Sequence, residues 1–423
     1  MRFGKLLFLL GTVFGMGLML FLLQFWNPDE GDDIEHYRRV RDLVQNTFVG
    51  DVDEEVLLGT ALRGMLTSLD PYSDYYLAAQ TEELNRDTSG KTVGIGVIMR
   101  YIDGPQILFP LSDSPALRAG LQVGDKILAI DDISTVEMPT EELSALLRRE
   151  PGSSIRMTVK GLDETVRELV VKPNEVQIPS VSRTAIVDKE RGIGYLALTS
   201  FTNRTAEELD AAIEWLQTQG MKGLILDLRG NPGGVLSETV EITNRFVRKG
   251  PLTSTRGRDG SHVDYADPEL ALYFGLPLAL LVDRDSASAS EVFAGALQDH
   301  RVAVLIGEAT YGKGLVQTIS RFPRRNAVAK VTTSYYYTPA LRNVHRSNDG
   351  NAYGLMPDFP VPSTDEERKA IFIFLHRTFE PPPAALSTLQ SWEAEIGLKL
   401  VVERPLDAQL DAALSIFAGK FPG

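Results

Sequence analysis

Three Gly- or Ser-rich segments contain the groups that could do chemistry. The first, Asp227–Gly234, has three glycines and would leave backbone N–H groups free at the start of a helix. Such donors suit a phosphate or an oxyanion, but no Walker lysine follows the glycines, which disfavours a nucleotide. Taken alone, the segment fits an oxyanion site and a plain tight turn equally well.

The second segment, Asp285–Glu291, alternates serines with alanines. Ser286, Ser288 and Ser290 stand at the predicted start of a helix, where a serine usually serves only as a cap. Three serines exceed what one cap requires, so one of them could be a nucleophile. Their spacing does not distinguish among the three.

The third segment, Gly307–Gln317, holds Lys313 between Gly312 and Gly314. An exposed lysine there would simply be solvated, whereas a buried one would lose its proton readily, because desolvation disfavours the charged amine. A lysine tuned in this way can act as a general base near neutral pH. No lysine stands three residues after any of the serines, so the fold would have to assemble a Ser–Lys pair.

Composition excludes several other kinds of site. The chain has 423 residues, enough for about three domains, and its net charge of −14 argues against nucleic-acid binding. There is no cysteine, and none of the five histidines lies four residues from another. These counts exclude a thiol nucleophile and disfavour a metal site, so we expect no metal and no other cofactor.

The elements that must position the three segments alternate between strand and helix. From Ile193 onward, short apolar strands are separated by amphipathic helices predicted near 206–219, 236–249 and 288–300. Near-continuous apolar strands predict an α/β fold with a mainly parallel sheet covered on both faces. In such sheets the chemistry lies at the carboxyl ends of the strands. The tail after Val361 is predicted to be helical and contains no chemical motif.

The N-terminal half is organised differently. Residues 6–26 carry no charge and follow two basic residues, which predicts an uncleaved membrane helix with the body outside the cytoplasm. A cleaved signal sequence and a buried helix are the alternatives, and no small-residue cleavage site is present. Residues 33–83 are predicted to be helical, with a stop at Leu69–Ser73 because Pro71 disfavours helix at Asp70. Between Thr92 and Pro173, short β-runs with turn signals and one helix predict a compact β-rich module.

Taken in order, these motifs resemble those of the carboxyl-terminal processing proteases, also called tail-specific proteases, which are Ser–Lys endopeptidases with a PDZ domain. Each glycine motif is weak alone, but the set covers nearly the whole region after the apolar N-terminus. The matching runs are Leu69–Ser73, Gly94–Val97, Ser114–Ala116, Ala119–Asp125, Asp227–Gly234, Ser286–Glu291, Gly312–Gln317, Tyr337–Pro339 and Pro357–Asp358.

The resemblance implies a role for each site residue. It implies that Ser288 is the nucleophile, that Lys313 is the general base and that Gln317 orients the lysine. The oxyanion would be held by the N–H of Ala289 and by one from Gly233 and Gly234, most directly the second of these glycines. One departure from the family pattern lies after Thr-Pro, where Leu-Arg-Asn-Val replaces the frequent Gly-Arg-Ser-Ile.

The resemblance also implies that a PDZ domain captures the carboxylate of a substrate's C-terminus in a backbone turn. The residues of this turn would be Gly94, Ile95, Gly96 and Val97. The strand from Ile98 to Arg100 would then receive the substrate as an added strand. A rigid β-module used only for packing is the alternative.

The combined prediction is a serine endopeptidase that cleaves exported proteins near their C-termini. Its regions are a membrane anchor or signal sequence (1–28), a helical region (29–90), a PDZ domain (91–173), a Ser–Lys protease core similar to the ClpP/crotonase spiral (174–362) and a helical C-terminal region (363–423). The predicted location is the cell membrane with the body on the periplasmic side, or the periplasm if the N-terminus is cleaved.

The expected partners are polypeptides with accessible C-termini and, through residues 6–26, the membrane. A homo-oligomer or an adaptor protein is a further partner left open, and no nucleic acid is expected. Two other hypotheses are a membrane-tethered scaffold that has lost activity and an acyl-transfer or hydratase enzyme. The intact Ser288, Lys313 and Gln317 argue against the first, and no coenzyme-binding motif supports the second.

Overall fold

The computed structural model describes residues 28–77, 80–81, 84, 89–102, 104–346, 354–379, 381, 383–401 and 403–419. The chain divides into two compact units, Met1–Leu69 and Asp70–Gly423. The predicted membrane segment, residues 6–26, lies outside the described residues. Within the described part, no helix is both long enough and apolar enough to cross a bilayer.

The helices and strands are numbered in chain order. The helices are α1 (Pro28–Thr47), α2 (Glu54–Thr67), α3 (Pro115–Ala119), α4 (Thr140–Leu147), α5 (Thr205–Thr218), α6 (Leu236–Asn244), α7 (Ala289–Asp299), α8 (Asp365–Phe372), α9 (Pro383–Ile396) and α10 (Ala408–Phe417). A π-helical turn, Ile373–Arg377, follows α8. The strands are β1 (Asp74–Tyr76), β2 (Lys91–Gly94), β3 (Val97–Tyr101), β4 (Pro105–Pro110), β5 (Lys126–Ile130), β6 (Ile133–Ser134), β7 (Ile155–Lys160), β8 (Val166–Val171), β9 (Asn174–Gln177), β10 (Val181–Asp188), β11 (Ile193–Leu198), β12 (Gly223–Asp227), β13 (Pro251–Gly257), β14 (Gly260–Tyr265), β15 (Leu278–Val282), β16 (Ala303–Gly307), β17 (Leu315–Phe322), β18 (Ala327–Tyr337) and β19 (Phe359–Pro360).

The first unit contains α1 and α2, which cover only part of the predicted helical region 33–83. Asp53 begins α2 by accepting hydrogen bonds from the N–H groups of Glu55 and Val56 at 2.9 and 3.1 Å. The helical pattern stops at Leu69–Ser73 as predicted, where Pro71 disfavours helical backbone at Asp70. The helix prediction is wrong for residues 74–76, which form β1.

A β-rich module fills the range 91–173. Strands β3, β4, β5, β7 and β8 form an antiparallel sheet in that order, with β6 beside β5. The sheet and α4 share an apolar core that includes the fully buried Ile107, Ile130 and Leu143. Strand β3 lies at one edge of this sheet, so an extended peptide could add beside it.

A larger sheet has the strand order β10–β11–β12–β15–β16–β19. All neighbouring strands are parallel except β10 and β11. Buried residues of α5, α6 and α7 cover one face, and residues of α8, the π-helical turn and α10 cover the other. The prediction of a mainly parallel sheet covered on both faces is confirmed, since strands such as β12 and β15 are buried along their whole length.

An antiparallel sheet that is absent from the predicted elements has the order β1–β18–β13–β14, with β17 paired to β18. Its β17–β18 hairpin begins just after Lys313 and carries Gln317 and Tyr336. These strands mix exposed and buried residues, so they lack the continuous apolar runs that predict the parallel strands. Gln317 and Tyr336 therefore lie on an element that hydropathy alone does not show.

The C-terminal region packs on both parts of the second unit. Helix α9 forms an apolar cluster with Leu108 and Phe109 of β4. The Nη1 of Arg100 in β3 donates to the carbonyl oxygen of Lys399 at 2.6 Å. Further along the chain, α10 packs against the parallel sheet. The tail is helical as predicted, and it connects the β-rich module to the main sheet.

Candidate active site

The three serines of the second segment lie between β15 and α7 and differ in their surroundings. Ser286 and Ser290 are buried. Their hydroxyls donate to the carbonyl oxygens of Leu228 and Asn231 at 2.8 and 3.0 Å. Ser288 is half-buried and has φ 55° and ψ −115°, a strained backbone conformation for a residue with a Cβ. The middle serine is thus the accessible one, while the outer two bind the loop after β12.

One buried carboxylate joins the start of α7 to the lysine segment. Glu291 is fully buried in the first turn of α7. Its Oε2 accepts from the N–H groups of Ser288 and Lys313 at 2.9 and 2.8 Å. Its Oε1 accepts from the N–H of Gly312 at 2.7 Å and from the hydroxyl of Thr310 at 2.6 Å. Burial raises the pKa of the Glu291 carboxyl above its ordinary value, although these donors oppose the shift.

The loop Asp227–Gly234, called the glycine loop below, runs against the backbone of Ser288. Gly233 has φ 100°, and a Cβ there would lie 2.8 Å from the nitrogen of Ala289 and 2.9 Å from the Cβ of Ser288. The N–H of Gly233 donates to Oδ1 of Asn231 at 2.9 Å. Over the described ranges, the N–H groups of Gly234 and Ala289 have no acceptor. Two free backbone donors therefore lie near the middle serine.

Lys313 is half-buried, and its Nζ lies 4.8 Å from the centroid of the Tyr72 ring. Burial lowers the pKa of Lys313, and the nearby charge of Lys330 lowers it further. The carboxylates of Glu291 and Asp70 oppose this shift. Lys313 is therefore partly desolvated. At any given pH, a larger fraction of its amine is neutral than in a fully solvated lysine.

Gln317 is linked through Thr332 to the segment Asp70–Ser73, at the start of the second unit. Its Nε2 donates to the hydroxyl of Thr332 at 3.3 Å across the β17–β18 hairpin. The N–H of Thr332 donates to the hydroxyl of Ser73 at 3.0 Å, and that hydroxyl donates to Asp70 at 2.8 Å. The segment Asp70–Ser73 therefore contacts Lys313 through its aromatic ring and Gln317 through Thr332.

The predicted catalytic residues meet through their backbones rather than their side chains. The N–H groups of Ser288 and Lys313 bind the same oxygen of Glu291. In the part of the chain that the structure describes, no hydrogen bond joins the Ser288 hydroxyl to Lys313, and the Gln317 amide is bonded to Thr332. Catalytic hydrogen bonds often tighten only when substrate binds, so the shared carboxylate is the informative contact.

The predicted carboxylate-binding turn connects β2 and β3 in the β-rich module. Gly94 ends β2, and Val97 begins β3. The carbonyl oxygens of Ile95 and Gly96 accept hydrogen bonds from N–H groups in and before α3 at 2.8 and 2.9 Å. The N–H groups of the same two residues have no acceptor among the described residues. The turn therefore offers free donors beside the edge strand β3.

Several residues outside the predicted set also shape the site. The contacts of Glu291 could have been found from its capping-box spacing, because Ser288 and Glu291 stand at the first and fourth positions of that motif. The segment Asp70–Ser73 was matched only as part of the family pattern, with no contact predicted for it. Asp407, which binds Arg229 of the glycine loop, has no local signal. Within the described ranges, no cluster of three acidic or histidine side chains could hold a metal ion.

Known protein families match three parts of the chain. The pattern of peptidase family S41 matches residues 192–361, which include all three candidate segments. A PDZ domain pattern matches residues 110–161, inside the β-rich module. The N-terminal domain of the activating protease CtpB matches residues 26–81.

Relatives that match most of the chain agree with these family matches. The carboxy-terminal-processing protease of Bartonella bacilliformis is 33% identical over 365 residues, which are 84% of this chain and 81% of the relative. The carboxyl-terminal-processing protease of a Picosynechococcus species is 36% identical over 309 residues, which are 71% and 72% of the two chains. A solved structure, the photosystem II D1 C-terminal processing protease, is 28% identical, with 77% of this chain and 86% of that chain covered and a TM-score of 0.44. The chain belongs to the carboxy-terminal-processing proteases of peptidase family S41, a family of serine-type peptidases.

Proposed function

We propose that Ser288 and Lys313 form the catalytic pair of this serine peptidase, which would cleave exported polypeptides near their C-termini. The observation that carries the proposal is the shared carboxylate of Glu291, which binds the N–H groups of both residues. This contact holds the nucleophile and the base side by side although they belong to different segments. The lowered pKa of Lys313 supports its role as the base.

Hydrolysis would proceed by acyl transfer. The neutral amine of Lys313 takes the proton of the Ser288 hydroxyl while the serine oxygen attacks the scissile carbonyl carbon. The tetrahedral intermediate then expels the amine, which Lys313 protonates as the C–N bond breaks. Water, deprotonated by the same lysine, attacks the acyl ester, releases the carboxylic acid and restores the serine.

The oxyanion of the intermediate would be held by the N–H groups of Ala289 and Gly234. Both donors are free, whereas the N–H of Gly233 is bonded to Asn231. One oxyanion donor is typically worth about 10²–10³ in rate. Gly233 would instead act as the spacer that lets the loop approach Ser288, because a side chain there would meet the backbone of Ala287 and Ala289 and the Cβ of Ser288.

Gln317 would orient Lys313 during proton transfer. Its Nε2 is bonded to Thr332, so its Oε1 is the atom available to accept from the lysine ammonium. Thr332 is held in turn by Ser73, while the Tyr72 ring packs on the lysine from the other side. Lys313 would thus be fixed by two neighbouring residues of the segment Asp70–Ser73. Tyr72 would act directly, and Ser73 would act through Thr332 and Gln317.

The PDZ domain would bind the free C-terminus of the substrate. The N–H groups of Ile95 and Gly96 are free to donate to a carboxylate, and β3 offers an edge for strand addition. Terminal capture of this kind would bring the C-terminal part of a polypeptide to the protease core. The proposed specificity is therefore for accessible chain ends.

Residues 6–26 would anchor the protein in the membrane, with the body on the periplasmic side. The support is the charge-free run that follows two basic residues. Cleavage of the same run as a signal sequence would release the body into the periplasm. In either case the substrates would be exported proteins.

The serine assignment predicts different outcomes for the three serines. Ser288→Ala should abolish peptide hydrolysis, because it removes the attacking oxygen. Ser290→Ala removes one buried hydrogen bond, and Ser286→Ala removes at least two, because the Ser286 hydroxyl also accepts from the N–H of Asp283 at 3.0 Å. Each bond is worth about 0.5–1.5 kcal/mol, and both variants should retain most activity per folded molecule. The measurement is kcat/KM on one peptide, with the folded fraction determined by circular dichroism. Hydrolysis that survives in Ser288→Ala would refute the assignment.

The base assignment predicts a pH profile. Activity should rise with pH and level off below the range in which an ordinary lysine titrates, since only neutral Lys313 accepts the serine proton. Lys330→Met removes a positive charge that lowers the pKa of Lys313, so it should move the rise to higher pH. Lys222→Met, at an exposed position, is the matched control.

The same pH series should include two variants of the base itself. Lys313→Ala and Lys313→Arg should both be inactive, because alanine has no basic group and guanidinium stays protonated at any working pH. Near-wild-type turnover in Lys313→Ala would contradict the Ser–Lys mechanism, whereas a profile that Lys330→Met leaves in place would show only that the charge of Lys330 has little effect on the base.

A pair of glycine variants tests the close approach of the glycine loop. Gly233→Ala puts a Cβ 2.8 Å from the nitrogen of Ala289, and should reduce kcat/KM about 10²-fold because the loop must move away. Gly220→Ala also has positive φ, 87°, but meets nothing within 4 Å, so it controls for backbone strain alone. Equal losses in the two variants would mean that strain, and not the approach to Ser288, causes the effect.

Amidated peptides test carboxylate capture. An amidated C-terminus lacks the charge that the N–H groups of Ile95 and Gly96 would bind, so KM should rise while kcat changes little. Gly96→Ala should reduce this difference between free and amidated peptides, because its Cβ would lie 2.5 Å from that of Ser114 and distort the turn. Equal KM values for the two peptides in the wild-type protein would exclude terminal recognition by this turn.

A further inference from the structure

The C-terminal region, which contains no chemical motif, reaches the glycine loop. Asp407 precedes α10 and Gln409 lies in its first turn, and both are buried beside Arg229 of the loop. The Nη1 and Nη2 of Arg229 donate to the two carboxylate oxygens of Asp407 at 2.7 and 2.6 Å. Nη1 also donates to Oε1 of Gln409 at 3.1 Å. The two-point contact is the geometry in which guanidinium and carboxylate groups bind each other most strongly.

Asp227, at the carboxyl end of β12, holds the same guanidinium from the other side. Nε of Arg229 donates to its Oδ1 at 2.9 Å and Nη2 to its Oδ2 at 2.6 Å. The hydroxyl of Tyr195 donates to the same Oδ2 at 2.7 Å. Burial raises the pKa of Asp227, but the adjacent guanidinium outweighs burial and leaves this pKa below its ordinary value. Arg229 is therefore fixed between the main sheet and the tail.

The backbone of Arg229 is also held by the C-terminal region. Nε2 of His376 donates to the carbonyl oxygen of Arg229 at 2.9 Å, and the imidazole stacks on Phe372 with ring centroids 4.7 Å apart. A Cβ on Gly230 would lie 2.6 Å from the same Nε2, so the imidazole packs directly on the glycine loop. The N–H of Gly230 donates to Asp283 at 3.0 Å, which links the loop to the turn before the serines.

These contacts lie in the same loop as Gly233 and Gly234. Beyond Gly230, the glycine loop continues to Gly233, which lies against Ala289 and Ser288, and then to Gly234 with its free N–H. A displacement of about 1 Å in such a donor can cost about 10²-fold in rate, because it acts on the charge that develops in the transition state. The position of Arg229 therefore bears on catalysis although its side chain points away from the nucleophile and into the tail.

We propose that Asp407 and His376 are positioning residues for the oxyanion site. Through the side chain and the carbonyl oxygen of Arg229, they set the place of the glycine loop against the nucleophile. The proposal rests on the function proposed above. It differs from a purely structural role in one respect: losing either residue weakens binding of the transition state more than binding of the substrate.

The test compares Asp407→Asn with Asp411→Asn in the full-length protein. The first keeps the size of the side chain but loses the paired contact with Arg229, and the second changes an exposed aspartate on the same helix. We expect Asp407→Asn to lower kcat about 10- to 100-fold at nearly unchanged KM. Asp411→Asn should behave as the wild-type protein does.

A second readout isolates the oxyanion site. A substrate-derived peptide aldehyde forms a tetrahedral adduct with the serine, so its inhibition constant reports on the oxyanion donors. In Asp407→Asn this constant should rise by about the same factor by which kcat/KM falls. The two values are measured on the fraction of enzyme that is folded and that the aldehyde can titrate.

His376→Phe provides an independent variant in case Asp407→Asn does not fold. Phenylalanine keeps a ring to stack on Phe372 but cannot donate to the carbonyl oxygen of Arg229. The same paired loss in kcat and in aldehyde binding is expected. Lower thermal stability with unchanged kcat and unchanged aldehyde binding, in whichever of these variants folds, would overturn the proposal.

The outcome is separable from the proposed function itself. If the wild-type protein hydrolyses peptides and Ser288→Ala does not, the nucleophile is established, and a wild-type result for the folded Asp407→Asn and His376→Phe variants overturns only the positioning role. If Ser288→Ala keeps its activity, the oxyanion site is not where the glycine loop meets α7, and both proposals fail.

Discussion

The site depends on the hydrogen bonds that the Glu291 carboxylate accepts. Oε2 accepts from the N–H groups of Ser288 and Lys313, and Oε1 accepts from Gly312 and Thr310, so the carboxylate joins the serine segment to the lysine segment. A glutamine at position 291 could not replace this carboxylate. Its NH2 group would face N–H donors where an acceptor is needed. The carboxylate therefore fixes the backbone of Ser288 relative to that of Lys313.

The same contacts explain how the strained backbone of Ser288 persists. A residue with positive φ normally relaxes unless its surroundings fix it, and the strain costs on the order of 1–3 kcal/mol. Here the N–H of Ser288 is held by Glu291, and its carbonyl oxygen accepts from the hydroxyl of Tyr336 at 3.2 Å. The hydroxyls of Ser286 and Ser290 bind the glycine loop on either side. The outer serines therefore hold the glycine loop, and of the three serines only Ser288 has the strained backbone.

Sequence patterns predict those strands in which every residue is buried. The strands of the parallel sheet are buried on both faces, so an apolar run such as Leu278–Val282 predicts them directly, and the three chemical segments follow from the ends of such strands. The β17–β18 hairpin alternates in environment and lacks that signal. The role of Asp407 is harder still to predict from sequence. Asp407 accepts from the N–H of Leu410 at 3.0 Å, so its sequence pattern is that of an ordinary helix cap. Its second contact, with Arg229, joins residues far apart in sequence and leaves no local periodicity.

The contact between Arg229 and Asp407 also has a consequence for the order of events during translation. The two residues are 178 positions apart in the sequence. A nascent chain that has emerged only as far as residue 400 already contains Ser288, Lys313, Gly233 and Gly234, but the guanidinium of Arg229 lacks its second carboxylate. The charge balance beneath the glycine loop is therefore completed only after the serine and lysine segments have left the ribosome.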